Sequence, residues 1–166
     1  MHKLDTLFLD RDGVINMKLE GRYVRNFEEF EFMPGAIDAI SKLTNKFNRI
    51  IVITNQQGIG KEIMSKADLN TLHAKMQEKI EQSSGKINKI YYCPHLEESD
   101  CSCRKPKSGM IESALLDFPQ ITLEESYLIG DSDSDIEAGK RMNLNTVKVD
   151  NEYTLAKWTA ELSSLF

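Results

Sequence analysis

The chain has 166 residues, 40% hydrophobic and 28% charged, and its 21 Lys plus Arg against 26 Asp plus Glu give a formal charge of -5. A chain of this size can bury one core and predicts a single domain over residues 1–166, not a two-domain enzyme. Net acidity disfavours a nucleic-acid surface built on bulk positive charge, and no apolar run approaches the roughly 20 residues that span a bilayer, so neither nucleic acid nor a membrane is an expected partner.

The opening MHKLDTLFLDRDG lacks the apolar region and small-residue cleavage site of a signal peptide, and all three cysteines fall within eleven residues. An odd, clustered set of thiols suits metal binding or chemistry in a reducing compartment better than disulfides, so a cytoplasmic location is expected. The first β-type run, residues 6–9, leads directly into DRDGVIN. Asp10 and Asp12 form an i, i+2 carboxylate pair at the end of that strand, with Gly13 for a tight turn. Two acids so close repel each other unless a cation or a catalytic proton lies between them.

A polar irregular stretch, 17–33, precedes helical spacing over 35–47. The second strand, 49–53, ends in ITNQQGIGK, which places Thr54 and Asn55 at an equivalent edge, where a hydroxyl and backbone amides can hold phosphoryl oxygens. This is not a P-loop, because Asn55 and Glu62 replace its first Gly and its Ser or Thr, and Ile63 stands where G-x-G-x-x-G needs its third Gly. Residues 66–82 carry a helical stripe of Leu69, Leu72, Met76 and Ile80 behind an S-x-x-D start at Ser65 and Asp68, with His73 on a largely polar face.

A third strand, 89–92, runs into YYCPHLEESDCSCRKP. Cys93, His95, Cys101 and Cys103 there make two short chelating arms, and a Cys₃His set closes a tetrahedral structural zinc site. Arg104 and Lys105 follow, held by Pro106; Lys suits a transferring phosphoryl group and Arg bidentate phosphate recognition. After a helix over 109–116, the fourth strand, 127–129, ends in IGDSDSD. Asp131 leaves the strand directly and is the expected ligand of a hard divalent cation, Mg²⁺ where phosphate is the substrate. Asp133 is read as solvated, and Asp135 as a brace for the loop or the neighbouring Lys. Ser134 is the expected cap of a helix over 134–142. A fifth strand, 146–149, and a last helix, 155–165, with Leu155, Trp158, Leu162 and Leu165 as packing face, complete the chain.

Alternating strands and helices predict a single doubly wound α/β domain, a parallel sheet flanked by helices, with ligands beyond the carboxyl ends of its strands.

DRDGVIN, ITNQ, RKP and IGDSDSD resemble, in order and spacing, the four motifs of the haloacid dehalogenase superfamily of phosphohydrolases. Within it the chain is similar to the small histidinol-phosphate and heptose-bisphosphate phosphatases, which have a Rossmann-like fold, a minimal cap and a zinc loop, here 93–103. The resemblance implies Asp10 as nucleophile and Asp12 as acid/base. It implies Mg²⁺ on Asp10, Asp131 and the Asp12 carbonyl, and structural Zn²⁺ on Cys93, His95, Cys101 and Cys103. Thr54, Asn55, Gln56, Arg104 and Lys105 are then the substrate contacts, and the mouth lies between the zinc loop and residues 20–25.

The phrase RKPKSGM resembles the heptose-bisphosphate type, although Ser108 and Ser132 depart from its pattern, and the short zinc-loop gap resembles the histidinol-phosphate type. The resemblance implies a monomer that removes the 7-phosphate of a manno-heptose 1,7-bisphosphate, a small phosphorylated sugar used for lipopolysaccharide core or other surface glycans. Histidinol phosphate is the alternative substrate. A phospho-receiver switch is the non-enzymatic alternative on a similar sheet.

Overall fold

The structure is a computed structural model and describes residues 2–165. Five strands, β1 (Leu4–Leu9), β2 (Phe47–Asn55), β3 (Lys89–Cys93), β4 (Tyr127–Gly130) and β5 (Asn145–Lys148), alternate with six helices. These are α1 (Ala36–Thr44), the short α2 (Gln57–Gly60), α3 (Lys66–Gln82), α4 (Gly109–Asp117), α5 (Asp133–Arg141) and α6 (Leu155–Ser163). All neighbouring strands pair in parallel, in the order β3-β2-β1-β4-β5. The predicted doubly wound α/β sheet is therefore present. The order is the 3-2-1-4-5 arrangement and not the 2-1-3-4-5 of receiver domains, which removes the switch alternative.

Parallel strands covered on both faces need apolar residues on both, and the strands supply them by alternation. Leu7, Leu9, Ile50 and Val52 face α1, α3 and α6, where Ile40, Leu43, Leu72, Met76 and Trp158 are buried with them. Phe8, Ile51 and Ile53 face the opposite way, onto Met110, Ile111 and Ala114 of α4 and Ala138 of α5. Each such side chain contributes about 1.5–3 kcal/mol by leaving water.

Three local readings need correction. The helix expected over 35–47 ends at Thr44, because Phe47 belongs to β2 and packs edge-on against Tyr127, 5.9 Å between ring centres. Helix α5 is capped by Ser132 and not Ser134: the Ser132 hydroxyl accepts from the Asp135 N–H while the Asp135 carboxylate accepts from the Ser132 N–H, a reciprocal capping box. In α6, Leu155, Trp158 and Leu162 are buried, but Leu165 lies beyond the helix and is exposed. The capping box expected at Ser65 and Asp68 opens α3.

The chain winds from β1 outward to β3 and then returns to place β4 on the other side of β1, so the topological switch lies between β1 and β4. Ligand sites in such sheets open beyond the strand ends at this point. Asp10 and Asp131 each follow one of these two strands, and the Asp10 N–H donates to the Ile129 carbonyl at 3.0 Å.

Candidate active site

Beyond the carboxyl edge lies a cleft of about 300 Å³ lined by Asp10, Asp12, Asn55, Gln56, Arg104, Lys105 and Asp131. Its outer wall is Lys18, Arg22, Tyr23 and Gln57. Residues far apart in the chain thus meet in one place, and Thr54 alone among the expected contacts is set back from the opening. Thr54 is fully buried, and its hydroxyl accepts from the Gln56 amide at 2.9 Å.

Lys105 is the centre of charge. It is buried, and its ammonium donates to Asp10 Oδ1 at 2.9 Å, to the Ile53 carbonyl at 3.0 Å and pairs with Asp135 Oδ1 at 2.6 Å. Burial works against its charge, but the Asp10 and Asp135 carboxylates outweigh that and hold its pKa above the ordinary lysine value. The loop carrying Lys105 is registered against β2 by Asn55, whose side chain accepts from the Lys105 N–H at 3.1 Å and donates to its carbonyl at 3.3 Å.

Asp135 accordingly braces Lys105, as the sequence suggested. One of its oxygens faces the ammonium and the other accepts from the Ser132 hydroxyl and N–H, so both are committed. Asp133 is exposed and pairs with Lys148 at 2.7 Å. Asp10 and Asp131 remain with free carboxylate capacity, within the 4.8 Å cluster that also includes Asp135. Burial pushes Asp10 well above the usual carboxylate range; Lys105 opposes this, and the Asp135 and Asp131 charges add to it. Burial raises Asp131 as well, against a partial offset from Lys18. Two acids that would otherwise take up protons are a fitting donor set for a hard divalent cation, with oxygen donors of the kind magnesium prefers.

Gly13 makes this close approach possible. Its φ of +88° is one that residues with a side chain avoid, and a Cβ there would overlap the Asp131 carboxylate.

Asp12 is held on every side. Its Oδ1 accepts from Arg11 at 2.7 Å and Asn16 at 2.9 Å, and its Oδ2 accepts from Gln56 at 2.9 Å. Burial would raise its pKa, but Arg11 and these donors prevail and keep it below the ordinary value. Arg11, fully buried, also donates to His73 at 3.1 Å and lies over the Phe30 ring. His73 is thus not on a polar face, as the helical pattern suggested, but buried; burial first, and the Arg11 charge second, hold its pKa down at about 3. Arg11, Asn16 and His73 are the members that motif reading missed. Nothing in sequence spacing indicated His73.

Cys93, the last residue of β3, pairs with Asn55, and its carbonyl accepts the Gln56 N–H at 2.7 Å. Its thiol gathers with His95, Cys101 and Cys103 so that all four donor atoms lie within 4.8 Å. Cys93 Sγ is 3.8 Å from Cys101 Sγ and 3.4 Å from His95 Nδ1, and His95 Nδ1 is 3.2 Å from Cys103 Sγ. Cys93 Sγ and Cys103 Sγ are closer, 2.8 Å apart, than the roughly 3.8 Å that two thiolates about 2.3 Å from one zinc ion would take, so it is the chemistry of the donor set, three thiols and an imidazole gathered together, that fits a structural zinc ion. Burial pushes the Cys93 thiol up to about 12, a proton affinity that a bound cation would displace. The mouth is tied across by Gln57, which donates to the Tyr23 hydroxyl at 3.0 Å and accepts from the Glu97 N–H at 2.6 Å.

Comparison with known proteins decides the family. A D-glycero-beta-D-manno-heptose-1,7-bisphosphate 7-phosphatase of Pseudomonas putida is 37% identical over 163 residues, covering 96% of this chain and 92% of that protein. The chain belongs to the heptose-bisphosphate phosphatase family of HAD-like hydrolases. A family model described as "HAD-hyrolase-like" matches residues 102–164. The D-glycero-alpha-D-manno-heptose-1,7-bisphosphate 7-phosphatase of Mycobacterium bovis is 42% identical over 131 residues, 79% of this chain and 69% of that protein. The crystal structure of D,D-heptose 1,7-bisphosphate phosphatase from B. bronchiseptica, complexed with magnesium and phosphate, superposes with a TM-score of 0.89 at 28% identity. It covers 98% of this chain and 99% of that one. Neither loop at the mouth carries an inserted domain: 17–34 holds a single 3₁₀ turn, Phe27–Glu29, and 94–108 holds the Cys/His cluster. Among the described residues no helix is long and apolar enough to cross a membrane.

Proposed function

We propose that the protein is a magnesium-dependent phosphomonoesterase that removes the 7-phosphate of a D-glycero-D-manno-heptose 1,7-bisphosphate. The observation that carries this reading is the meeting of Asp10, Asp131 and the buried Lys105 at the switch point, with Asp12 beside them. Asp10 attacks phosphorus in line; the P–O bond to the sugar breaks as the Asp10–phosphorus bond forms, and Asp12, which takes up a proton once the negative phosphate lies beside it and raises its proton affinity, gives that proton to the departing oxygen. A water then attacks the aspartyl-phosphate, Asp12 takes up the water's proton, and Asp10 is released with inorganic phosphate.

Asp10, Asp131 and the Asp12 carbonyl are the residues to hold Mg²⁺, which when bound offsets the repulsion between carboxylates and phosphate. Lys105 neutralises charge on the transferring group. Asn55 keeps Lys105 in register and presents its own N–H, and Thr54 and Gln56 support the phosphate pocket from behind. At the outer wall Arg104 has a buried Nη1 without a partner, and with Lys18 and Arg22 nearby it suits the second phosphate of a bisphosphate. Zn²⁺ on Cys93, His95, Cys101 and Cys103 has a structural role, fixing the loop that delivers Arg104 and Lys105. We read residues 1–166 as one such unit, active as a monomer in the cytoplasm, where the thiols stay reduced.

The relatives divide between the two anomers, so the deciding assay measures phosphate release from both heptose bisphosphates and from histidinol phosphate at equal concentration. A heptose bisphosphate is the expected best substrate, and D10N is expected to be folded and inactive. Preference for histidinol phosphate would overturn the substrate, and turnover by D10N the nucleophile.

A further inference from the structure

His73 lies on α3, outside all four motifs, yet it is buried against the one arginine that grips Asp12. A guanidinium has no acceptor, so His73 Nε2 must accept from Arg11 Nη1, which assigns the ring hydrogen to Nδ1. Arg11 Nη2 donates to Asp12 Oδ1, the guanidinium lies 5.8 Å from the Phe30 ring centre, and Arg11 Nε has no partner. Two hydrogen bonds and one ring face therefore fix the guanidinium plane. Asp12 Oδ1 takes both Arg11 and Asn16, whereas Oδ2 takes only Gln56. The doubly held oxygen pins the carboxyl group and leaves Oδ2 to exchange a proton with a bound ester.

We propose that His73 is a positioning residue for the acid/base: by holding Arg11 Nη1 it orients the guanidinium whose other nitrogen sets the plane of the Asp12 carboxyl group. The inference rests on the phosphatase reading, which gives Asp12 its proton-transfer role. With His73 truncated, Arg11 Nη1 loses its buried partner and the guanidinium loses one of its two fixed points. A misplaced general acid penalises a leaving group that needs a proton and spares one that does not.

This separates positioning from bulk stability. An alkoxide from a sugar phosphate must be protonated as it leaves, while p-nitrophenolate departs as the anion. Since kcat/KM reports only the steps through departure of the leaving group, it isolates the acid role of Asp12 from its later role as base. The experiment compares wild type, H73L, H73N and H73Q on D-glycero-D-manno-heptose 1,7-bisphosphate and on p-nitrophenyl phosphate. For H73L and H73N the expected loss of kcat/KM is about 10- to 100-fold on the sugar ester and under about threefold on the aryl ester. H73Q, whose carboxamide oxygen reaches the Nε2 position, is expected to restore the sugar-ester rate.

Equal losses on both esters, no loss on either, or no rescue by H73Q would overturn the assignment. If H73L does not fold, H73N, which stays polar but is too short to reach Arg11, carries the same comparison. A wild type that cleaves neither ester overturns the phosphatase reading as well; a wild type that cleaves both, with variants that lose both equally, overturns this inference alone.

Discussion

Replacing Lys105 by Met removes a charge from the most tightly committed position in the molecule. The ammonium is 3% exposed, and its neighbours are Asp10 at 2.9 Å, Asp135 at 2.6 Å and the Ile53 carbonyl at 3.0 Å, so all three of its hydrogens are engaged. Methionine fills the same volume but leaves the two buried carboxylates of Asp10 and Asp135 facing each other without their shared cation. Breaking a buried pair by removing one partner costs about 3–5 kcal/mol. For a domain of this size, at about 2–4 °C per kcal/mol, the melting midpoint should fall by about 6–20 °C. Loss of a preorganised charge aimed at the transferring group should lower kcat by about 10²–10³-fold.

Both are measured directly, the midpoint by thermal denaturation in chelator and kcat by phosphate release at saturating substrate and Mg²⁺. The double variant K105M/D135N should melt higher than K105M, because removing both members of a pair leaves less unpaired charge than removing one. A K105M protein melting within about 2 °C of wild type in chelator would refute the buried-clamp reasoning. One with kcat within about tenfold of wild type would refute the electrostatic role.

Cys101→Ala should lose zinc, measured by elemental analysis, and most activity, while the sheet stays folded by circular dichroism; wild-type turnover in the metal-free variant contradicts this. Gly13→Ala forces a side chain into a left-handed backbone position, costing about 1–2 kcal/mol before any clash is counted. It also displaces Asp131, so the variant should need more Mg²⁺ for half-maximal activity; an unchanged Mg²⁺ requirement counts against Asp131 as ligand. At the opposite edge of the sheet Asp5 accepts from the Thr122 N–H at 2.8 Å and pairs with Arg49 at 3.0 Å. Burial would raise Asp5, but the Thr122 N–H, the Asn48 and Thr6 side chains and Arg49 lower its pKa below the ordinary value. A carboxylate depressed on folding adds stability that is complete above about pH 3.9, its unfolded value, and is lost as pH falls through the folded one. The gap in melting midpoint between wild type and D5N should therefore narrow on acidification from pH 6 towards pH 3, and a gap that widens would reverse the sign.

Three of the four motifs were legible because each sits where a strand stops, and strand ends can be read from short β-branched runs followed by Gly and Asp. Asp10 and Asp131 needed only that rule, whereas Lys105 lies in the loop between β3 and α4 and was legible from its residue type beside Pro106. Asp135 was legible as a brace for the loop or the neighbouring Lys, but the division of its two oxygens between Ser132 and Lys105 was not. What failed was local ambiguity: Ser132 and Ser134 are equal as caps by residue type, and only the reciprocal bond to Asp135 separates them. His73 was invisible for a different reason. Polar neighbours on α3 mask one buried ring, and its partner lies 62 residues away on a different element.

The place of β1 between β2 and β4 has a consequence for how the chain can be divided. A cut in the loop after β3 would leave Asp10, Asp12 and Asn55 on one fragment and Lys105 and Asp131 on the other, with Cys93 and His95 separated from Cys101 and Cys103 if it fell within 96–100. Neither piece would hold a complete reaction centre, and the smaller one would lack β1, one of the two strands that its β4 pairs with. Turnover regained on mixing two such fragments would accordingly report that the sheet had closed around β1, which makes phosphate release a direct readout of reassembly.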